Sequence, residues 1–93
     1  MEIKHVGGAN RGKVFLYALS TCPWCKKTKA LLNELGVEYS YVDVDMVPPA
    51  EEDDVKEDVK RWNPACSFPT LVINDSGCIV GFQPDKIKSA LGL

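Results

Sequence analysis

The segment Cys22-Pro23-Trp24-Cys25 constrains this chain more than any other feature. Its two cysteines follow an apolar run, Val14-Phe15-Leu16-Tyr17-Ala18-Leu19, and precede a stretch with helical spacing. Strand, short loop, CxxC and helix, in that order, are the arrangement a thiol–disulfide exchanger needs. The strand and loop bring Cys22 to the helix N-terminus, where unpaired amides and the macrodipole favour an anion. The thiolate is the reacting form of cysteine, so this placement activates Cys22. Cys25 follows about one helical turn later, close enough to resolve a mixed disulfide. A CxxC also serves as half of a zinc site, or as two small buried residues. A zinc site wants a second close pair, and Cys66 and Cys78 are not spaced as one. The βαβ-like context, with Pro and Trp between the cysteines, favours redox chemistry, and no residue is assigned to a metal.

A chain of 93 residues makes one domain, near the small end of what folds alone. A formal net charge of −2 gives no reason to expect nucleic acid or an anionic membrane as a partner. No apolar stretch is long enough to span a bilayer. Met1-Glu2-Ile3-Lys4-His5 has no apolar signal core. A cytoplasmic protein is expected. In a reducing cytosol, four cysteines read as thiols rather than as a disulfide framework.

Residues 1–12 end in Gly7-Gly8-Ala9-Asn10-Arg11-Gly12 and read as a flexible lead-in before a domain at 13–93. Lys13 to Leu19 reads as a buried strand. From Pro23, the residues Ala30, Leu31, Leu32 and Leu35 recur at helical spacing. Pro23 suits the first helical turn, and Gly36 suits the position just past the last. Val37 to Val44 reads as a second strand, parallel to the first through a right-handed crossover. Pro48-Pro49 breaks the chain. Glu51 to Trp62 reads as an acidic helix with a narrow stripe of Val55, Val59 and Trp62. The acidic run at its start is a solvated helix N-terminus rather than a metal site. Thr70 to Asn74 and Cys78 to Val80 make an antiparallel hairpin around Asn74-Asp75-Ser76-Gly77. Asp85 to Leu91 forms a last short helix.

This order, β-α-β-α-β-β-α with CxxC after the first strand, resembles the glutaredoxin branch of the thioredoxin fold. The expected architecture is α/β, a four-stranded mixed sheet with flanking helices. Three motifs carry the resemblance. Cys22-Pro23-Trp24-Cys25 is similar to the CPYC or CPWC active site, with Cys22 as nucleophile and Cys25 as resolving thiol. Ser67-Phe68-Pro69-Thr70 resembles the segment whose proline is cis and faces the active site. Gly81-Phe82-Gln83-Pro84-Asp85 resembles the GFRPD-like stretch of NrdH-redoxins, glutaredoxin-like proteins that reduce ribonucleotide reductase. Before proline the trans preference is small enough for tertiary structure to select cis. The backbone N–H and C=O of Phe68 would then stay available to a substrate chain beside the disulfide. Thr21, Pro23, Trp24, Phe68, Pro69, Gly81, Phe82 and Asp85 are the substrate-binding residues that the resemblance implies.

The departures from that family are specific. Leu19 stands where glutathione-using glutaredoxins commonly carry a lysine for a glutathione carboxylate. Phe82 stands at the second glycine of a Gly-Gly-x-Asp grip, and a proline precedes Asp85. These changes lean toward an NrdH-like redoxin that reduces protein disulfides, with ribonucleotide reductase among the candidate targets. The reductant would be a thioredoxin-reductase-like protein or glutathione, with no bound cofactor, and the protein a monomer. A glutathione-dependent glutaredoxin is the nearest alternative, since Lys26, Lys27 and the helix N-terminus still offer positive potential. A metal or iron–sulfur protein built on Cys22, Cys25 and Cys66 is the alternative from another class. Thioredoxin proper is a poorer match, because it has WCGPC and a buried aspartate on the preceding strand, whereas Val14 to Leu19 is uncharged. Cys66 and Cys78 read as ordinary partly buried and core cysteines, Trp62 as core, and His5 has no assigned role.

Overall fold

Val14, Leu16 and Ala18 turn to one side of a strand and Tyr17 to the other, and all four are buried. A strand buried on both faces belongs inside a sheet covered by helices on both sides. The computed structural model describes residues 3–93 and has that layered arrangement. Its elements in chain order are β1 (Lys4–Val6), β2 (Val14–Ala18), α1 (Pro23–Leu35), β3 (Tyr39–Asp43) and a single 3-10 turn (Val44–Met46). They continue with α2 (Pro49–Trp62), β4 (Thr70–Ile73), β5 (Gly77–Val80) and α3 (Pro84–Ala90). The strands stand in the order β1-β3-β2-β4-β5, with β2 in the middle. β2 runs parallel to β3 and antiparallel to β4. β4 and β5 form the expected antiparallel hairpin.

The two faces carry separate cores. Val14, Leu16 and Ala18 pack with Leu31 and Leu32 of α1 and with Ile87 and Leu91 at the C-terminal helix. Tyr17, Val42 and Val72 pack with Val55 and Val59 of α2. This is the thioredoxin-like arrangement, with α1 and α3 on one face of a mixed sheet and α2 on the other.

The sheet has five strands, not the four expected. The extra one is β1, inside the segment read as a flexible lead-in. It pairs antiparallel with β3, Lys4 opposite Tyr41 and Val6 opposite Tyr39. Ala9 then bridges the start of the next segment: its N–H donates to Gly36 O at 2.8 Å, and Glu38 N–H donates to Ala9 O at 2.9 Å. A strand of three mostly exposed residues leaves no alternating apolar signature, so backbone pairing to an open edge decides it. Met1 and Glu2, the first residues of the expected lead-in, lie outside the described residues.

Helix ends follow their capping residues. Pro23 occupies the first turn of α1, and Gly36 closes it in the left-handed conformation at φ 67°. α2 begins two residues earlier than expected, at Pro49, with Glu51 and Glu52 in its first turn and Lys60 and Arg61 in its last. That distribution complements the helix dipole at both ends.

The lead-in docks closely enough to be tested. A Cβ on Gly8 would come within 2.6 Å of Gly36 O and 2.7 Å of Val37 C, both backbone atoms, whereas a Cβ on Gly7 meets nothing within 4 Å. Gly8→Ala should lower the thermal midpoint by roughly 4–8 °C, the shift produced by about 1 kcal/mol in a domain of this size. Gly7→Ala should leave it nearly unchanged, and a matched pair of melting curves compares the two.

Candidate active site

β2 ends at Ala18, and the chain turns into α1 within a few residues. Cys22 is the N-cap of that helix, with extended backbone (φ −79°, ψ 118°). Its Sγ accepts a hydrogen bond from the Cys25 amide at 3.2 Å. Cys22 N–H donates to Leu19 O at 3.2 Å, and Lys26 N–H donates to Cys22 O at 3.0 Å. The sulfur therefore takes the place that a Ser or Asp oxygen fills at an ordinary N-cap, in contact with an amide that would otherwise lack a partner.

The two cysteines are not equivalent. Cys22 is half-buried, whereas Cys25 is fully buried one turn inside α1. Burial first, and then the hydrogen bond with Cys22, push the Cys25 thiol up to about 12. Lys29 opposes this only weakly. Its ammonium is committed to Asp43 at 2.8 Å and lies 4.2 Å from the centre of the Tyr41 ring. All four cysteines are free thiols.

Pro69 reaches the same end of the sheet through β4. Tyr17 pairs with Thr70, so the residue before Thr70 lies beside the exit of β2. The Phe68–Pro69 peptide bond is cis, as expected, and Pro69 is wholly buried. Pro69 O accepts from Gly81 N–H at 2.9 Å. Gly81 has φ 81°, a left-handed backbone that glycine tolerates.

These segments enclose an open groove of about 240 Å³, lined by Trp24, Phe68, Pro69, Gly81 and Phe82. The Trp24 and Phe82 rings stack at 6.1 Å between centres and 26° between planes. Lys27 Nζ sits 4.5 Å from the centre of the Trp24 ring, and Trp24 is 54% exposed. Five of the expected substrate-binding residues thus come together in one groove beside the cysteines. Thr21, Pro23 and Asp85 do not line it. Thr21 and Pro23 are exposed at the head of α1, and Asp85 is exposed in the first turn of α3.

Two groups that support this end of the molecule escaped the sequence. Asn63 is 5% exposed. Its Nδ2 lies 2.9 Å from Ser67 Oγ, 3.2 Å from Ser67 O and 3.1 Å from Thr70 Oγ1. Its Oδ1 accepts from Ala65 N–H, and Thr70 Oγ1 donates to Ser67 O at 2.7 Å. One buried amide therefore ties both ends of the loop that carries Pro69. The only hint in sequence is an asparagine between the end of a helix and Pro64. The second group is Asp45, which accepts hydrogen bonds from the Ser20 amide and hydroxyl and so braces the loop before Cys22. Those bonds hold the Asp45 carboxyl below its usual range.

Cys66 has a left-handed backbone (φ 51°), and Cys78 S–H donates to Trp62 O at 3.0 Å. Among the described residues, no three His, Cys, Asp or Glu side chains gather as metal ligands. No described helix is long and apolar enough to cross a membrane.

A family model for glutaredoxins matches residues 14–78, which include the CxxC, Pro69 and Cys78. The chain belongs to the glutaredoxin family. It is similar to the glutaredoxin of Methanosarcina mazei Go1, with a TM-score of 0.91 and 52% identity over 100% of this chain and 90% of that one. It is also similar to the methanoredoxin of Methanosarcina acetivorans, with a TM-score of 0.90 and 50% identity over 92% of this chain and 90% of that one. A glutaredoxin-like 8.6 kDa protein in the rubredoxin operon of Clostridium pasteurianum is 33% identical over 82% of this chain and 93% of its own length. This glutaredoxin is thus a redox protein with its two CxxC cysteines close together, and its family carries thiol oxidoreductase activity in general.

The Asn63 network makes a quantitative expectation. Asn63→Ala leaves Ser67 and Thr70 without their buried donor, a loss of about 1–3 kcal/mol. Urea unfolding should show that loss as a lower midpoint with an unchanged slope.

Proposed function

We propose that this glutaredoxin reduces protein disulfides with the Cys22–Cys25 dithiol, in the manner of an NrdH-like redoxin. The observation that supports this most is the division between an accessible Cys22 at the helix N-cap and a fully buried Cys25 hydrogen-bonded to it. Cys22 thiolate attacks one sulfur of the target disulfide. The target's S–S bond breaks, a Cys22–target disulfide forms, and the other target sulfur leaves as a thiolate that takes up a proton. Cys25 then loses its proton and attacks Cys22 Sγ, which expels the second target thiolate and leaves a Cys22–Cys25 disulfide. Two electrons have passed to the target. A reductant restores the dithiol by the same exchange in reverse.

The environment of Cys25 suits this order. Its raised pKa keeps it a thiol while Cys22 reacts. Part of that rise comes from the hydrogen bond and the charge of Cys22. Both disappear when Cys22 is held in a mixed disulfide, so Cys25 ionises more readily at the step that needs it.

The aromatic groove supports a protein chain as the substrate. Exposed Trp24 stacked on half-buried Phe82 offers aromatic surface next to the CxxC, and aromatic surface of this kind recurs at protein contacts. Among the described residues, no backbone bond outside the regular elements uses the N–H or C=O of Phe68, which leaves both open to an extended peptide. The same features disfavour glutathione as the donor. Leu19 offers no charge to its carboxylate, and Phe82 fills the place where a glycine admits a ligand to the backbone. The donor is then a protein reductase, or a small thiol held without a carboxylate grip. Four free thiols suit a reducing cytosol.

Cys22→Ser should abolish reduction of insulin, while Cys25→Ser should accumulate a mixed disulfide visible by mass spectrometry. Labelling of Cys25 ahead of Cys22 by an alkylating agent would reverse the two roles. A separate comparison drives one disulfide substrate with glutathione and with a thioredoxin reductase. Turnover with the reductase should be faster, because a glutathione carboxylate without a charged partner forgoes about 1.5–3 kcal/mol. Faster turnover with glutathione would place the protein among the glutathione-dependent glutaredoxins.

A further inference from the structure

Phe68 also borders a second opening. Besides the aromatic groove, it helps enclose a cavity of about 400 Å³ on the α2 side of the sheet. The rest of the wall is Leu19, Val44, Asp45, Glu52, Lys56 and Cys66. Two of its walls adjoin the reacting centre along the chain. Leu19 O holds the Cys22 amide, and Phe68 directly precedes Pro69.

The lining has an apolar part and a charged part. Val44 is buried, and Leu19 and Phe68 are half-buried. Two carboxylates, Asp45 and Glu52, face one ammonium, Lys56. Lys56 Nζ is already paired with Glu52 at 2.8 Å. Asp45 accepts hydrogen bonds from the amide and hydroxyl of Ser20, and the one cation whose charge acts on it, Lys29, is itself paired with Asp43 at 2.8 Å among the described residues. Asp43, Asp45 and Glu52 thus stand against Lys29 and Lys56, which leaves one negative charge in excess with both cations engaged.

We infer that this cavity is a specificity pocket for the disulfide reaction and receives an arginine or lysine side chain that neighbours the target disulfide. The aliphatic stem lies along Leu19, Val44 and Phe68, and the cationic head faces Asp45 and Glu52. A glutamate or aspartate in the same place meets uncompensated negative charge and is rejected. The inference rests on the protein-disulfide reading of Cys22 and Cys25 and adds to it the class of target sequence. It also gives a second physical reason for poor use of a donor whose recognition depends on carboxylates.

The test uses disulfide-linked peptides that differ only in the residue beside one cysteine, which is arginine, alanine or glutamate. At low ionic strength kcat/KM should fall in that order, with about a fivefold difference between arginine and glutamate, the scale of a partly exposed charge pair. High salt should shrink the ratio toward one. Glu52→Lys reverses the charge balance and should bring the ratio below one. Because the ratio is taken within each protein, a general loss of folded enzyme cancels. Equal rates for the arginine and glutamate peptides at low salt, or a ratio unmoved by Glu52→Lys, would overturn the pocket while leaving the reductase reading intact. No turnover of any peptide would remove both.

Discussion

The pairing of β2 with β4 is the contact on which the active end depends. β2 runs out at Ala18 toward the cysteines, and β4 enters at Thr70 directly after Pro69. Their antiparallel register places Tyr17 opposite Thr70, so the exit of one strand and the entry of the other share one edge of the sheet. A slip by one residue would turn every side chain of β4 to the opposite face and separate its two buried sets. Burial enforces the register, because Leu71 and Ile73 belong to one core and Val72 to the other. The redox centre is therefore positioned by apolar packing several residues away from any sulfur.

Given that frame, the ionisation of Cys25 follows from its depth first and from its contact with Cys22 second. Cys22 lies at the mouth, capped by an amide, and Cys25 lies inside the core of α1 and β2. Burial disfavours the charged form of a thiol and so holds Cys25 in its protonated form. One helical turn of sequence thus yields two thiols in different surroundings. Phe68 brings a similar division to the surrounding surface. It packs against both cores and borders both openings, the stacked aromatics beside Trp24 and Phe82 and the acidic cavity beside Asp45 and Glu52. A target chain crossing Phe68 would meet apolar surface in one direction and negative charge in the other.

Much of this was legible in the order of residues. An apolar run marked β2, the Asn74-Asp75-Ser76-Gly77 turn marked the β4–β5 hairpin, and the Pro23 and Gly36 boundaries of α1 followed from capping chemistry. Ser67-Phe68-Pro69-Thr70 pointed to the cis peptide only through its resemblance to the glutaredoxin segment. The fifth strand was not legible, since Lys4-His5-Val6 is too short and too exposed to carry a pattern. Asn63 and Asp45 were not legible either. Each acts through partners two to twenty-five positions away, on backbone or hydroxyl groups that any sequence supplies.

By itself, then, the sequence determined local matters: which stretches bury one face or two, where helices start and stop, and where two cysteines stand one helical turn apart. Those properties depend on spacing and side-chain chemistry within a few residues. Tertiary structure alone decided that β1 closes the free edge of β3, and that Trp24 and Phe82, 58 positions apart, stack into one surface. It also decided that the local Glu52–Lys56 pair of α2 comes to line a cavity with Phe68, and that Cys25 is buried deeply enough to hold its proton. Charge and ionisation depend on what surrounds a group in space, and that neighbourhood exists only once both cores have closed.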